Sequence, residues 1–289
     1  AADNTFTGNN VFNNAVTGGN ATEDNHLLNR VTADSRYAQF AAETLEWNVG
    51  IGGKFTDLQV AINEASKYKL ANGYKIVITI EPSYVFNSSI IIENVDLSHV
   101  VVTSNNQEIN ITVDNFTIID GEKSLFLIRG ICKLPIFDKL NIVSSVDLSF
   151  IIGLGLTNTP FNYKSYSIFD VLITNSTFKG LRYLVGGNKS RVVIDKCNFT
   201  NFSSLRLLLN CEAYVSESVF DNVGTLSHNS FQWYVSCVFK NFSNALGLHF
   251  VNWLGFTQLH KCTHESSVTY KSNIPLNSYN PLGAIIESF

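Results

Sequence analysis

The stretch "IDKCNFTNF" at 194–202 returns, altered in letters but not in pattern, as "VSESVFDNV" at 215–223 and "ITNSTFKGL" at 173–181. Each copy reads apolar, two mostly polar residues, small or apolar, polar, then Phe. With the first apolar residue as a marker, the pattern recurs at Ile92, Val113, Phe137, Ile173, Ile194, Val215, Tyr234 and Leu259, at intervals of 21, 24, 36, 21, 21, 19 and 25 residues. Recurrence at this length points to a solenoid in which each unit is one coil. The two polar residues read as a tight bend between short strands, so that Ile194, Cys197 and Phe199 all face inward. Stacking then places Phe178, Phe199, Phe220 and Phe239 in one internal column. The pattern returns because every coil must bury the same edge against its neighbours.

Composition agrees. Phe is abundant (21), Pro scarce (5), charged residues amount to 15%, and much of the polarity comes from Asn, Ser and Thr, a β-rich mixture. Coils of this length without the Leu and Asn positions of a leucine-rich repeat predict an all-β parallel β-helix. The stretch "LSHVVV" at 97–102 also fits the template, so the register there stays open. The 36-residue interval is expected to carry an insertion within 147–167.

Three regions are expected. Residues 1–50 form an N-terminal β-repeat and connector for trimerisation and attachment, with helix-like spacing of Leu27, Leu28, Val31, Tyr37, Phe40, Ala41 and Leu45 within 25–47. Residues 51–75 hold a capping helix: "TDLQ" at 56–59 is a capping-box pattern with Thr56 as N-cap, and Leu58, Ala61, Ile62, Ala65 and Tyr68 share one face. Residues 76–289 are the β-helix shaft, whose exposed first edge the helix is placed to cover.

Net charge is −4 and Lys and Arg are scattered, which argues against a nucleic-acid partner. No apolar run approaches the length of a membrane span, and the start "AADNTFTGNN" has neither the basic nor the apolar region of a signal peptide. The absence of Met suggests a fragment or a processed product. Five Cys, an odd number, do not suggest a disulfide framework, consistent with assembly in a reducing cytoplasm; Cys197, Cys237 and Cys262 share one repeat position and read as small fillers of an internal row.

The chain resembles bacteriophage tail fibres and tailspikes, receptor-binding trimers with a right-handed parallel β-helix. The resemblance rests on "NHLLNRVTADSRYAQ" at 25–39, similar to fibre connectors, on "FTDLQVAINEASKY" at 55–68, similar to the helix that opens such β-helices, and on "NVDLSHVVVTS" followed by coils. It implies a homotrimer in the virion, assembled in the bacterial host cytoplasm. It also implies an N-terminus joined to other tail or baseplate proteins, and binding to host surface polysaccharide or lipopolysaccharide.

Many tailspikes cut the polysaccharide they bind, as glycosidases or lyases, and the resemblance makes carboxylates candidate catalytic groups. Glycoside hydrolysis wants two carboxyl groups about 5–10 Å apart, which acids on successive coils can supply at a rung spacing of about 4.8 Å. Asp195 and Glu217 on adjacent units are the candidates, with Asp170 beside them, although bends are ordinary places for solvated acids. For glycan binding the aromatic residues Trp233, Tyr234 and Trp253 on adjacent coils, and Tyr163 and Tyr166 in the insertion, are the leads, with core or interface packing as the alternative. His249, His260 and His264 around Cys262 lack the ligand set of a zinc site, and no metal or cofactor is expected. The Asn-X-Ser/Thr triplets at Asn87, Asn110, Asn115, Asn175, Asn198, Asn201 and Asn241 read as turn and stack residues. Three functions follow: an adhesion segment presenting a glycan-binding surface, a depolymerising tailspike, or a structural spacer.

Overall fold

Alternating inward residues make the strands of the chain's longest sheet, and in-register stacking of those strands makes the solenoid. The structure, a computed structural model, describes residues 39–111, 116–117, 124–144, 150–154, 168–180, 190–208, 212–228, 231–240, 250–253, 256–264, 270–271 and 284–288. The ten-stranded sheet runs, all parallel, through Leu45–Val49, Ile76–Ile80, Val100–Thr103, Ile131–Asp138, Ile168–Thr174, Arg191–Asp195, Glu212–Ser216, Phe231–Val235, Phe256–His260 and Ala284–Ser288. A second, nine-stranded sheet and a third built from Ile90–Glu93, Ser124–Arg129 and Phe150–Leu154 form the other faces. The protein is a parallel β-helix.

One buried column of the ten-stranded sheet links Trp47, Ile78, Val102, Phe137, Ile173, Ile194, Val215, Tyr234 and Leu259, rung to rung. Six of the eight sequence markers lie in it. The other two are corrected or undescribed: Ile92 belongs to the three-stranded sheet, Val113 lies outside the described residues, and the column passes instead through Val102, at the end of "LSHVVV". Across the core, Ile109, Ile142, Phe178, Phe199, Phe220 and Phe239 form the facing column in the nine-stranded sheet. The Phe rings stack at 5.7, 5.1 and 5.0 Å with interplanar angles of 8°, 21° and 16°.

Between the two columns lies the bend, and its geometry explains the repeat. Lys139, Asn175, Lys196, Glu217, Ser236 and Lys261 all hold φ between 46° and 54°, the left-handed conformation that turns the chain in one residue. The next residue of each coil points inward: Leu140, Ser176, Cys197, Ser218, Cys237 and Cys262 form one buried row. Its members do more than fill space. Ser176 and Ser218 donate their hydroxyls to the carbonyls of Thr174 and Ser216 at 2.7 Å, and each hydroxyl accepts a backbone N–H of the coil before, from Leu140 and Cys197, at 3.0 Å. Cys197 makes the equivalent thiol contact to Asp195 O at 3.2 Å, and burial pushes its thiol up to about 12. A second left-handed corner follows the Phe column at Gly180, Asn201 and Asn222, where the Asn222 amide donates to Asn201 Oδ1 at 2.9 Å. Asn175 and Asn201 are therefore turn residues; Asn115 and Asn241 lie outside the described residues.

The expected helix forms, but over Leu58–Ala65 with Asp57 rather than Thr56 as its N-cap. Asp57 is extended and its Oδ1 accepts the N–H of Val60 at 3.1 Å. Gln59 is therefore free of the capping box. Its Nε2 donates to Ile91 O at 2.9 Å and its Oε1 accepts from Ile91 N at 2.6 Å. The side-chain amide thus stands in for a peptide group at the edge of the three-stranded sheet. Leu58, Ala61, Ile62 and Ala65 close that end of the core. The helical spacing expected around Phe40 and Leu45 is overturned: Gln39–Ala41 and Leu45–Val49 are strands, paired with Tyr68–Leu70 and Ile76–Ile80. Trp47, buried beneath Phe55 and Tyr68, makes the second strand worth more to the core than a connector helix would be.

Candidate functional site

Residues one and three positions before the buried marker point outward from the ten-stranded sheet. Two outer columns result. The first links Ile136, Leu172, Val193, Tyr214, Trp233 and Gln258, apolar on five successive rungs. The second links Lys133, Asp170, Arg191, Glu212, Phe231 and Phe256, charged on four rungs and aromatic on two.

Where the two columns start, the strand Ile131–Asp138 carries Pro135, which cannot donate to a ladder. The register slips there: Lys133 stays opposite Asp170 and Ile136 opposite Leu172, leaving two residues against Val171. The bulge opens a cleft of about 390 Å3, floored by Ile136, Leu172 and Val193 and rimmed by Lys133, Asp170 and Arg191.

Beyond the cleft the columns become a ladder of rings. Tyr214 and Trp233 stack at 4.7 Å and 4°. The Arg191 guanidinium lies 5.6 Å from the centre of the Tyr214 ring, so Tyr214 is flanked by Arg191 on the rung before and Trp233 on the rung after. Phe231 sits 6.1 Å from Trp233 and 6.4 Å from Phe256. Tyr214 is 38% and Phe231 48% exposed, a large apolar surface left to solvent.

Lys133 is held by Asp96 at 3.0 Å. Burial would raise the Asp96 carboxyl, but the Ser98 hydroxyl at 2.6 Å, the Ser98 N–H at 3.0 Å and Lys133 outweigh it and bring the carboxyl down to about 2 from a usual 3.8. A depressed carboxyl stabilises the fold above its unfolded value and loses that contribution as pH falls through the folded one. Asp96→Asn is expected to flatten the dependence of Tm on pH between about pH 4 and pH 2, measured by thermal denaturation, while leaving the slope above pH 5 unchanged.

The structure separates the residues singled out in the sequence. Asp170 is on the rim of the cleft. Asp195 is at the bend, where it accepts the Ser216 hydroxyl at 2.6 Å and lies 3.6 Å from Lys196 Nζ. Glu217 occupies the left-handed bend position itself and is exposed. Asp195 and Glu217 thus serve a corner of the coil, on the other side of the marker column from the cleft. Trp233 is on the outer ladder. Tyr234, its neighbour, points the other way: it is 0% exposed, packs on Phe220 and Phe239, and donates its hydroxyl to Gln232 Oε1 at 3.1 Å, so it offers no surface to a ligand. Trp253 is on a strand of the nine-stranded sheet, opposite His228, and is not brought to Trp233. Tyr163 and Tyr166 lie outside the described residues. Sequence reading missed Tyr214, Phe231, Phe256, Arg191 and Lys133; counting one and three positions back from each marker finds the first four, while Lys133 is four back from Phe137 because of the bulge.

No protein-family model matches the chain, and no curated protein matches its sequence. Among solved structures, the chain is similar to the pectin methylesterase from Aspergillus niger in deglycosylated form, at 9% identity over 87% of this chain and 86% of that one, with a TM-score of 0.40. It is also similar to a pectin methylesterase mutant in complex with hexasaccharide IV, at 13% identity over 86% of this chain and 89% of that one, with a TM-score of 0.43. Likeness at this level carries nothing about the chemistry of the cleft.

Proposed function

We propose that the cleft and the ring ladder together bind a polysaccharide on the outer face of the ten-stranded sheet. The observation that carries this reading is the pairing of an apolar column with a column of alternating charges and rings over successive rungs. A sugar ring has a face of C–H groups and a rim of hydroxyls. The floor of Ile136, Leu172 and Val193 suits the first, and Asp170, Arg191 and Glu212 suit the second as acceptors and donors. Phe231 adds exposed apolar surface next to them.

The finer reading is attachment. With the resemblance of 25–39 and 55–68 to phage fibre segments, the chain is proposed to be a trimeric fibre segment of a virion that holds a host surface glycan. Binding rather than cleavage is favoured because Asp195, which accepts the Ser216 hydroxyl, and Glu217, which holds the left-handed position, both lie at the bend, so that of the three candidate acids only Asp170 is at the cleft.

Electrophoresis of the purified protein through gels containing bacterial surface polysaccharides tests the site. Retardation is expected, and Arg191→Ala with Phe231→Ala is expected to weaken it about tenfold or more, since a hydrogen bond from a charged group contributes about 1.5–3 kcal/mol. Both side chains are exposed, so Tm should stay within about 2 °C. Equal retardation of the double variant would remove the site from this face. Release of reducing ends or unsaturated uronate during incubation would replace binding by depolymerisation.

A further inference from the structure

The charges on the outer column also select among polysaccharides, and this step rests on the binding reading above. Lys133 is paired with Asp96 at 3.0 Å, which leaves Asp170, Arg191 and Glu212 on three consecutive rungs. Arg191 is thus bracketed by a carboxylate on either side along the axis, and among the described residues no carboxylate lies within ion-pair distance of it. We infer that the ligand is an uncharged polysaccharide lying parallel to the solenoid axis.

Three features support this. First, a rung step of about 4.8 Å matches the length of one pyranose unit in an extended chain, so successive sugars meet successive rungs. Second, an acidic polymer seated this way would bring a carboxylate or sulfate against Asp170 or Glu212 on both sides of Arg191. The single cation cannot offset two like charges, and the chain's net charge of −4 adds to the repulsion. Third, alternating acceptors and donors are what neighbouring hydroxyls of a neutral sugar need: each carboxylate accepts from two hydroxyls and the guanidinium donates to two oxygens at once. The half-buried aliphatic floor beside them carries no charge that would select a polyanion.

Affinity electrophoresis of the full chain through gels of neutral polysaccharides (dextran, glucomannan, galactomannan and neutral bacterial surface polysaccharides) and of anionic ones (polygalacturonate, alginate) tests the inference. Retardation by at least one neutral gel and by neither anionic gel is expected. Asp170→Asn with Glu212→Gln should reverse the preference, gaining salt-sensitive retardation in the anionic gels and losing at least about tenfold in the neutral one. Retardation of the unaltered protein by an anionic gel alone would overturn the neutral-ligand inference and leave the binding site standing. A double variant that still ignores the anionic gels would show that this column does not set selectivity, with the same consequence. Retardation by no gel at all would remove the binding reading and this inference with it.

Discussion

Replacing Phe220 by alanine is expected to cost about 4 kcal/mol, within the range for removing a fully buried Phe side chain. The ring is 1% exposed and packs against Phe199 at 5.1 Å, Phe239 at 5.0 Å and, across the core, Tyr234 at 5.8 Å. Each stacked neighbour belongs to a different coil, so the cavity would weaken two coil interfaces at once, and a solenoid has no distant contacts to compensate. Phe220→Leu keeps most of the volume and loses the ring stacking, an expected loss of roughly 1.5 kcal/mol. Val238→Ala, at a position 37% exposed, should stay within about 0.5 kcal/mol. Urea denaturation followed by circular dichroism measures all three. A loss below about 1 kcal/mol for Phe220→Ala would mean that the stack is not the central support of these coils.

Gly180→Ala is expected to cost about 3 kcal/mol despite adding one methyl group at an exposed corner. Two effects combine. The residue holds φ at +76°, where an L side chain is strained by roughly 1–2 kcal/mol. A Cβ there would also sit 2.4 Å from the carbonyl oxygen of Ser144, a backbone atom of the neighbouring coil. Relief would require the corner to move, and its N–H is fixed to Thr200 O at 3.1 Å on the next coil. Asn201 and Asn222 hold the same corner on the next two coils at φ of 58° and 57°. Asn201→Ala should therefore cost less, about 1.5 kcal/mol, from the lost bond to the Asn222 amide and the poorer fit of Ala to this conformation. Equal losses for the two variants would mean that the Ser144 carbonyl yields freely. Denaturation midpoints decide between these outcomes.

How much of this could be read from the sequence depended on what each residue reports. From Ile173 to Leu259 the markers, the Phe column and the bend were legible, because one strand–bend–strand unit recurs with few changes. Ile92 misled for a physical reason. The pattern records a strand entering a left-handed bend, and Asn94 makes such a bend at φ 48° in the three-stranded sheet. The same letters therefore mark more than one corner of a coil. Asp57 displaced Thr56 as cap because Gln59, the partner the capping box requires, had a better use at Ile91. The cleft was the least legible part. It depends on the slip at Pro135, which no count of intervals reveals, and on Arg191 and Glu212, which look like scattered charges until the rungs align. Tyr234 has both the spacing of an inward marker and the ring of a ligand-binding residue. Parity along the strand permits only one, and the core holds it.

The amide of Gln59 also bears on how molecules of this kind avoid one another. A stack of parallel strands invites continuation, and a second molecule could extend it as readily as the chain's own next turn does. At Ile91 that invitation is withdrawn, since both backbone groups facing the helix are already taken by a side chain that cannot propagate the ladder. Gln59→Leu would leave the N–H and C=O of Ile91 without this partner beneath the helix that covers them.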